Sequence, residues 1–138
     1  MSTPTNEDYR HLLELRTGLR RFLRFSEEHA RAAGLTPAQH QLLLAVRGHP
    51  DPKGPTVGDV AGYLLLRHHS AVGLVDRAAA GGLVEREQDP DNLSVVRLRL
   101  TEKGAEHLAA LSRQHLLEIE HLAPTMHALW DAVETGQP

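Results

Sequence analysis

The side chains best able to do chemistry in this sequence are histidines: ten in 138 residues, with no cysteine beside them. Imidazole can ligate a metal, carry a proton or hydrogen-bond an acidic group. His68 and His69 stand side by side in RHHSAVGLVDRAAAGGLVERE, the stretch from Arg67 to Glu87. They open a helical pattern. Neighbours on a helix point about 100° apart, which is poor geometry for chelating one ion. The first turn of a helix favours a different chemistry, because its free N–H groups and its dipole attract phosphate. His69, Ser70 and Gly73 fall on one outward stripe, with Arg67 and Arg77 close by to add charge. The bland alternative is that one of the two histidines only faces solvent.

A second set lies further on. His115, Glu118 and His121 are three residues apart and share a helix face. With His11 or Glu14 from the start of the chain they could hold zinc; otherwise they form a solvated, histidine-rich surface. His40, His107 and His127 have no partner in the pattern and read as surface or interface groups. The sequence has no G-x-S-x-G, no H-E-x-x-H and no glycine-rich phosphate loop, so no catalytic residue, metal ligand or cofactor is assigned. The missing cysteine excludes disulfides, thiolate nucleophiles, thiolate metal sites and thiol redox switching.

The elements that must hold these groups are mostly helices. At 138 residues the chain predicts one domain, 1–138, and 41% apolar residues suffice for a core. With aromatics at only 4%, that core must be Leu, Val and Ala. No N-terminal apolar run resembles a signal peptide, and no stretch approaches the ~18–20 apolar residues of a membrane span. The expected location is cytoplasmic, with no membrane partner. The net charge of −3 conceals an uneven distribution. Residues 104–138 carry one arginine against five acids, whereas residues 67–103 balance six bases with six acids.

Tyr9, Leu12, Leu13, Leu19, Phe22, Leu23 and Ala30 recur at helical spacing and predict a helix over about 7–33, stopped by Gly34. Thr36, Pro37 and Gln39 form an N-terminal capping signature for a helix over about 37–47. GHPDPKGP, 48–55, must be a loop. Thr56 and Asp59 repeat the cap before a short helix, about 57–64. A turn at Leu65–Arg67 leads to another, about 68–81, with Ala71, Leu74, Val75 and Ala78 as its buried stripe and Gly81–Gly82 as its stop. Two short helices joined by such a turn are a helix-turn-helix. LVERE and VVRLRLT around QDPDNLS predict a β-hairpin over about 83–88 and 95–100. Thr101 caps a helix to about 122, Pro124 breaks it, and TMHALWDAV forms a last short helix.

In GLTPAQHQLLLAV, TVGDVAGYLLL, SAVGLVDRAAAGGLVER and REQDPDNLSVVRLRLTEKG, in this order and spacing, the sequence resembles the MarR family of winged helix-turn-helix transcriptional regulators. The resemblance covers about residues 8–122. It implies a mostly α fold with a small β-hairpin wing, the winged lobe at about 35–103 and dimerisation helices at about 7–33 and 104–135. It also implies a homodimer that binds a pseudo-palindromic operator in double-stranded DNA, as a repressor rather than an activator. The DNA-binding residues would be Arg67, His68, His69, Ser70, Gly73, Arg77, Arg86, Leu93, Ser94 and Arg97. Arg86 and Arg97 flank the wing and either touch phosphates or pair with Asp76, Glu85 or Asp89. A small-molecule effector pocket, with Phe22, Phe25, His40 and His115 as candidates, would lie among the first, second and fifth helices and release the operator when filled. Two positions depart from the family. Gly73 stands where an arginine or other polar residue is usual, and Leu93 and Ser94 stand at the wing tip where one or two arginines normally enter the minor groove. The alternative is a protein–protein or metal-sensing dimer that binds DNA weakly or not at all.

Overall fold

The computed structural model describes residues 2–136, which form five helices and one two-stranded sheet. They are α1 (Asn6–Ala32), α2 (Pro37–Gly48), α3 (Val57–Leu64), α4 (His68–Ala80), β1 (Val84–Asp89), β2 (Asn92–Leu100) and α5 (Glu102–Thr135). Among the described residues no helix is long and apolar enough to cross a membrane.

The helix starts follow from side chains placed to satisfy free N–H groups. Thr36 and Thr56 each accept from the backbone three residues on, and Gln39 and Asp59 reach back to the cap nitrogen. Each cap stabilises its helix by about 0.5–2 kcal/mol relative to alanine. Thr101 caps α5 in the same way, its hydroxyl accepting from Gly104 N–H at 3.0 Å.

Three helix ends share one device. Leu35 N–H donates to Ala30 O, Leu66 N–H to Ala61 O and Leu83 N–H to Ala78 O, each at 2.9 Å. Such a bond closes a helix when the preceding residue is left-handed, a position that usually requires glycine. Gly34 (φ 83°) and Gly82 (φ 73°) supply it in two cases; Leu65 (φ 56°) supplies it in the third, between α3 and α4.

The chain divides into two units, one comprising residues up to His29 and from Ser112 onward, the other Ala30–Leu111. The second unit holds the main core. Leu42, Leu43, Val60, Val75 and Leu98 are fully enclosed, together with Leu74, Ala78, Leu83, Val84, Leu108 and Leu111. Burying each leucine or valine contributes about 1.5–3 kcal/mol, which an aliphatic core can supply without aromatics. β1 and β2 pair antiparallel from Val84 opposite Leu100 to Gln88 opposite Val96, with an irregularity before Asp89 meets Asn92. The strand edge is extended by the loop before α3, where Leu98 N–H donates to Pro55 O at 2.8 Å. Gly54 (φ 88°) makes that approach possible, since a Cβ there would stand 2.1 Å from Leu98 O.

In the first unit α1 and α5 enclose an apolar groove of about 920 Å³, lined by residues from Ser2 to Phe22 and from Ile119 to Val133. Two sequence expectations need correction here and in the hairpin. Pro124 does not end a helix: α5 runs through it from Glu102 to Thr135. Proline removes one backbone donor and crowds the preceding turn. Ile119, Leu122, Ala123, Met126, Leu129, Trp130 and Val133 nevertheless stay in phase across it and line the same groove. The continuous apolar face outweighs the local break. The second strand begins at Asn92, not near residue 95. Asp89 pairs directly with Asn92, so residues that look like turn formers are drawn into the ladder.

Candidate nucleic-acid interface

The second unit presents α4 with one face buried and the opposite face open. Ala71, Leu74, Val75 and Ala78 are enclosed in the core, at the spacing of a single helical stripe. That arrangement fixes the rotation of the helix. His68, His69, Ser70 and Arg77 are exposed and Gly73 is half-buried. The structure therefore brings His69, Ser70, Gly73 and Arg77 together on one side of α4. Arg67 occupies the N-cap position and its side chain makes no cap hydrogen bond. The first intrahelical bond runs from Ala71 N–H to Arg67 O. The N–H groups of His68, His69 and Ser70 precede it, and here no threonine caps them as in α2 and α3.

The hairpin is held to the rest of its unit by charge. Arg86 on β1 pairs with Asp76 on α4 at 2.5 Å. Arg97 donates through Nε to Asp89 at 3.1 Å and through Nη1 to Gly54 O at 3.2 Å. Lys53 reaches Asp91 at 2.5 Å and Asp89 at 3.4 Å. Arg99 pairs with Glu87 across the strands at 3.0 Å. Asp89 is only 3% exposed. The Asp91 backbone N–H, followed by Arg97 and Lys53, holds its carboxyl below the ordinary value of 3.8 against the opposing effect of burial. Both arginines considered for phosphate contact, Arg86 and Arg97, are thus already paired, Arg86 with Asp76 and Arg97 with Asp89. At the tip Leu93 is 68% exposed. Ser94 is exposed too, its N–H and hydroxyl donating to Asn92 Oδ1 at 3.2 and 2.6 Å.

Sequence reasoning missed two groups. Lys53, read only as part of a loop, joins that loop to the wing. His49 Nδ1 lies 2.8 Å from the Tyr63 hydroxyl, with Nε2 3.7 Å from Asp59, tying the end of α2 to α3. No spacing rule relates residues so far apart in sequence, so neither contact had a local signature.

Of the four effector-pocket candidates, three meet in the first unit. Phe22 and Phe25 pack edge-on against His115, with ring centroids 6.1 and 5.9 Å away. His29 joins them, its Nδ1 2.9 Å from Phe25 O. Burial, with a smaller effect from His29, lowers the His115 pKa from its ordinary 6.5. Its neutral form is favoured. Phe22 also lines the apolar groove. His40 belongs to the other unit, buried on α2. Among the described residues no group of three histidine or acidic side chains could hold a metal ion, and His115, Glu118 and His121 form no such group.

An open helix following a short helix and turn, with a β-hairpin beside it, defines a winged helix-turn-helix protein. Residues 33–92 match the model of the MarR family. Known structures with this fold include a MarR family protein from Bacillus stearothermophilus, 24% identical, with TM-score 0.73 over 98% of this chain and all of that one. CouR from Rhodococcus jostii, solved with p-coumaroyl-CoA, is 19% identical, with TM-score 0.70 over 95% of each chain. A MepR variant from S. aureus, solved with an oligodeoxyribonucleotide, is 17% identical, with TM-score 0.63 over 94% of this chain and 98% of that one. No curated protein matches the sequence. The family match thus covers residues 33–92, and the likeness to these solved structures, over nearly the whole chain, is one of fold.

Proposed function

We infer that this protein is a DNA-binding transcriptional regulator, a repressor rather than an activator, and not an enzyme. The observation that carries this reading is α4: one face locked in the core, the other open and bearing an uncapped first turn, His69, Ser70 and Arg77. A helix held in this way fits the major groove, with its N-terminal turn on phosphate or base edges. MepR, of the same fold, has been solved with an oligodeoxyribonucleotide. The wing's Leu93 and Ser94 would lie beside the duplex. Its Arg86 and Arg97 would act mainly as braces, with Arg67 and His68 supplying phosphate contacts.

The active form would be a homodimer in the cytoplasm. Leu13, Leu117, Trp130 and Val133 on the two terminal helices are each about 60% exposed or more. An apolar surface of this kind marks an interaction site on a soluble chain. Two copies would present two α4 helices to the halves of a pseudo-palindrome. A small-molecule effector would bind near Phe22, Phe25 and His115 and favour a state with altered α4 spacing. CouR, of the same fold, has been solved with p-coumaroyl-CoA, which supports such a ligand by analogy.

The test is selection of binding sites from random duplex DNA with the purified protein. An enriched palindrome, bound more weakly by His69→Ala and Ser70→Ala, is the expected outcome. If no sequence is enriched, the better reading is a protein–protein dimer that happens to carry this fold.

A further inference from the structure

Gly73 sits mid-helix on the open face of α4, where it lowers helix propensity and supplies no contact group. It lies at no turn and takes no left-handed conformation. What stands over it is Arg77: a Cβ at Gly73 would be 3.3 Å from Arg77 Nη1. Helical side chains lean toward the N-terminus and cover the turn before their own Cα. The missing side chain therefore leaves a lane in which Arg77 lies back along the helix. Its guanidinium is carried from the last turn of α4 to the middle, one turn from His69 and Ser70.

The same guanidinium is uncommitted. Arg86, Arg97 and Arg99 are each held by a carboxylate, whereas Arg77 has no side-chain hydrogen bond or ion pair among the described residues. Asp76, its chain neighbour, is taken by Arg86.

Resting on the DNA-binding reading above, we propose that Arg77 is the main base-reading side chain and that Gly73 is the positioning residue that makes this possible. The chemistry recognised is a guanine edge in the major groove. The planar fork of arginine donates two parallel bonds to O6 and N7, which no other base presents as a pair of acceptors. The arginine or other polar residue that the resemblance implies at position 73 would thus be replaced by an arginine reaching back from position 77.

Binding-site selection with the native protein and its variants tests this. The native protein should enrich a palindrome with one strongly preferred guanine per half-site. Arg77→Lys keeps the charge but loses the fork. It should relax that position alone and bind the selected site about ten- to a hundred-fold more weakly, with the salt dependence of binding to random DNA unchanged. Gly73→Leu fills the lane and should relax the same position although Arg77 is intact. Since replacing a mid-helix glycine raises helix stability, its thermal midpoint should be equal or higher, which separates displacement of Arg77 from unfolding. Since lysine can still donate to guanine O6 and N7, a guanine preference surviving both Arg77→Lys and Arg77→Ala overturns the base-reading role. A preference lost in Arg77→Lys but kept in Gly73→Leu overturns the role of the gap. If the native protein enriches no palindrome, the DNA-binding reading itself fails, and this assignment with it.

Discussion

The guanidinium of Arg97 on β2 meets the buried carboxylate of Asp89 at 3.1 Å, at the end of β1. The same guanidinium holds Gly54 O, and Lys53 closes on Asp89 from the loop before α3. One carboxylate thereby ties together both strands of the wing and the loop that extends their sheet.

That knot gives the wing a defined acid response. The folded pKa of Asp89 lies below the ordinary 3.8, so between the two values the unfolded chain binds a proton that the folded chain does not. The stabilisation is complete above the ordinary value and is lost as pH falls through the folded one. Amide exchange at Val84 and Leu98, taken relative to the intrinsic rate at each pH, should accelerate below about pH 4. In Asp89→Asn it should already be fast at pH 7 and respond far less to acid. Equal protection in the two proteins at pH 7 would contradict the bracing role.

Leu65 closes α3 in a conformation that glycine occupies at the ends of α1 and α4, and it is 91% exposed. A left-handed non-glycine residue costs about 1–2 kcal/mol, partly offset by the greater freedom of glycine in the unfolded chain. Leu65→Gly should therefore stabilise the protein by about 0.5–1 kcal/mol and raise its melting temperature by a few degrees. Leu65→Ala, which keeps the strain, should not. Thermal unfolding of the three proteins decides it.

At the wing tip, Leu93→Arg should restore a cation that can enter the minor groove. Operator affinity should rise several-fold. The slope of log K against log salt should steepen by about 0.9 for each phosphate neutralised. Filter binding across a salt series is the measurement. If neither quantity changes, the tip does not lie against DNA.

His115 predicts a second pH effect, in the first unit and at milder acidity. Its folded pKa lies below 6.5, so the proton is taken up preferentially by the unfolded chain. Stability should be intact above pH 6.5 and decline as pH falls through 6.5 toward the folded value. Urea midpoints at pH 7.5 and 5.5 should differ in the native protein, and the gap should shrink in His115→Phe. An unchanged gap would remove His115 as its cause.

The helix boundaries were legible because they are set by local chemistry. Thr36 with Gln39, Thr56 with Asp59, and Gly82 act within four residues of one another, and a sequence displays such pairs directly. The same locality misled at Pro124, where a rule about one missing N–H competes with an apolar face in phase over fifteen residues. The buried stripe of α4 was legible from spacing, and its open face followed by subtraction. The partners of Arg86 and Arg97 could be narrowed to a few acids but not chosen among. Lys53 and His49 found theirs across 36 and 14 residues, where no spacing rule operates. That Gly73 shelters Arg77 needed coordinates, because the sequence shows a four-residue spacing but not the direction of a long side chain.

The internal pairing of the wing's arginines bears on how such a regulator would locate its operator. One-dimensional diffusion along a chromosome depends on a loose, sequence-blind hold on phosphates, which grows with the number of unneutralised cations facing the duplex. A wing whose Arg86, Arg97 and Arg99 are already spent on Asp76, Asp89 and Glu87 offers few. In the DNA-binding reading, this protein would scan poorly and dwell briefly at wrong sites. It would find its target by repeated three-dimensional encounters, trading search speed for little loss to the rest of the genome.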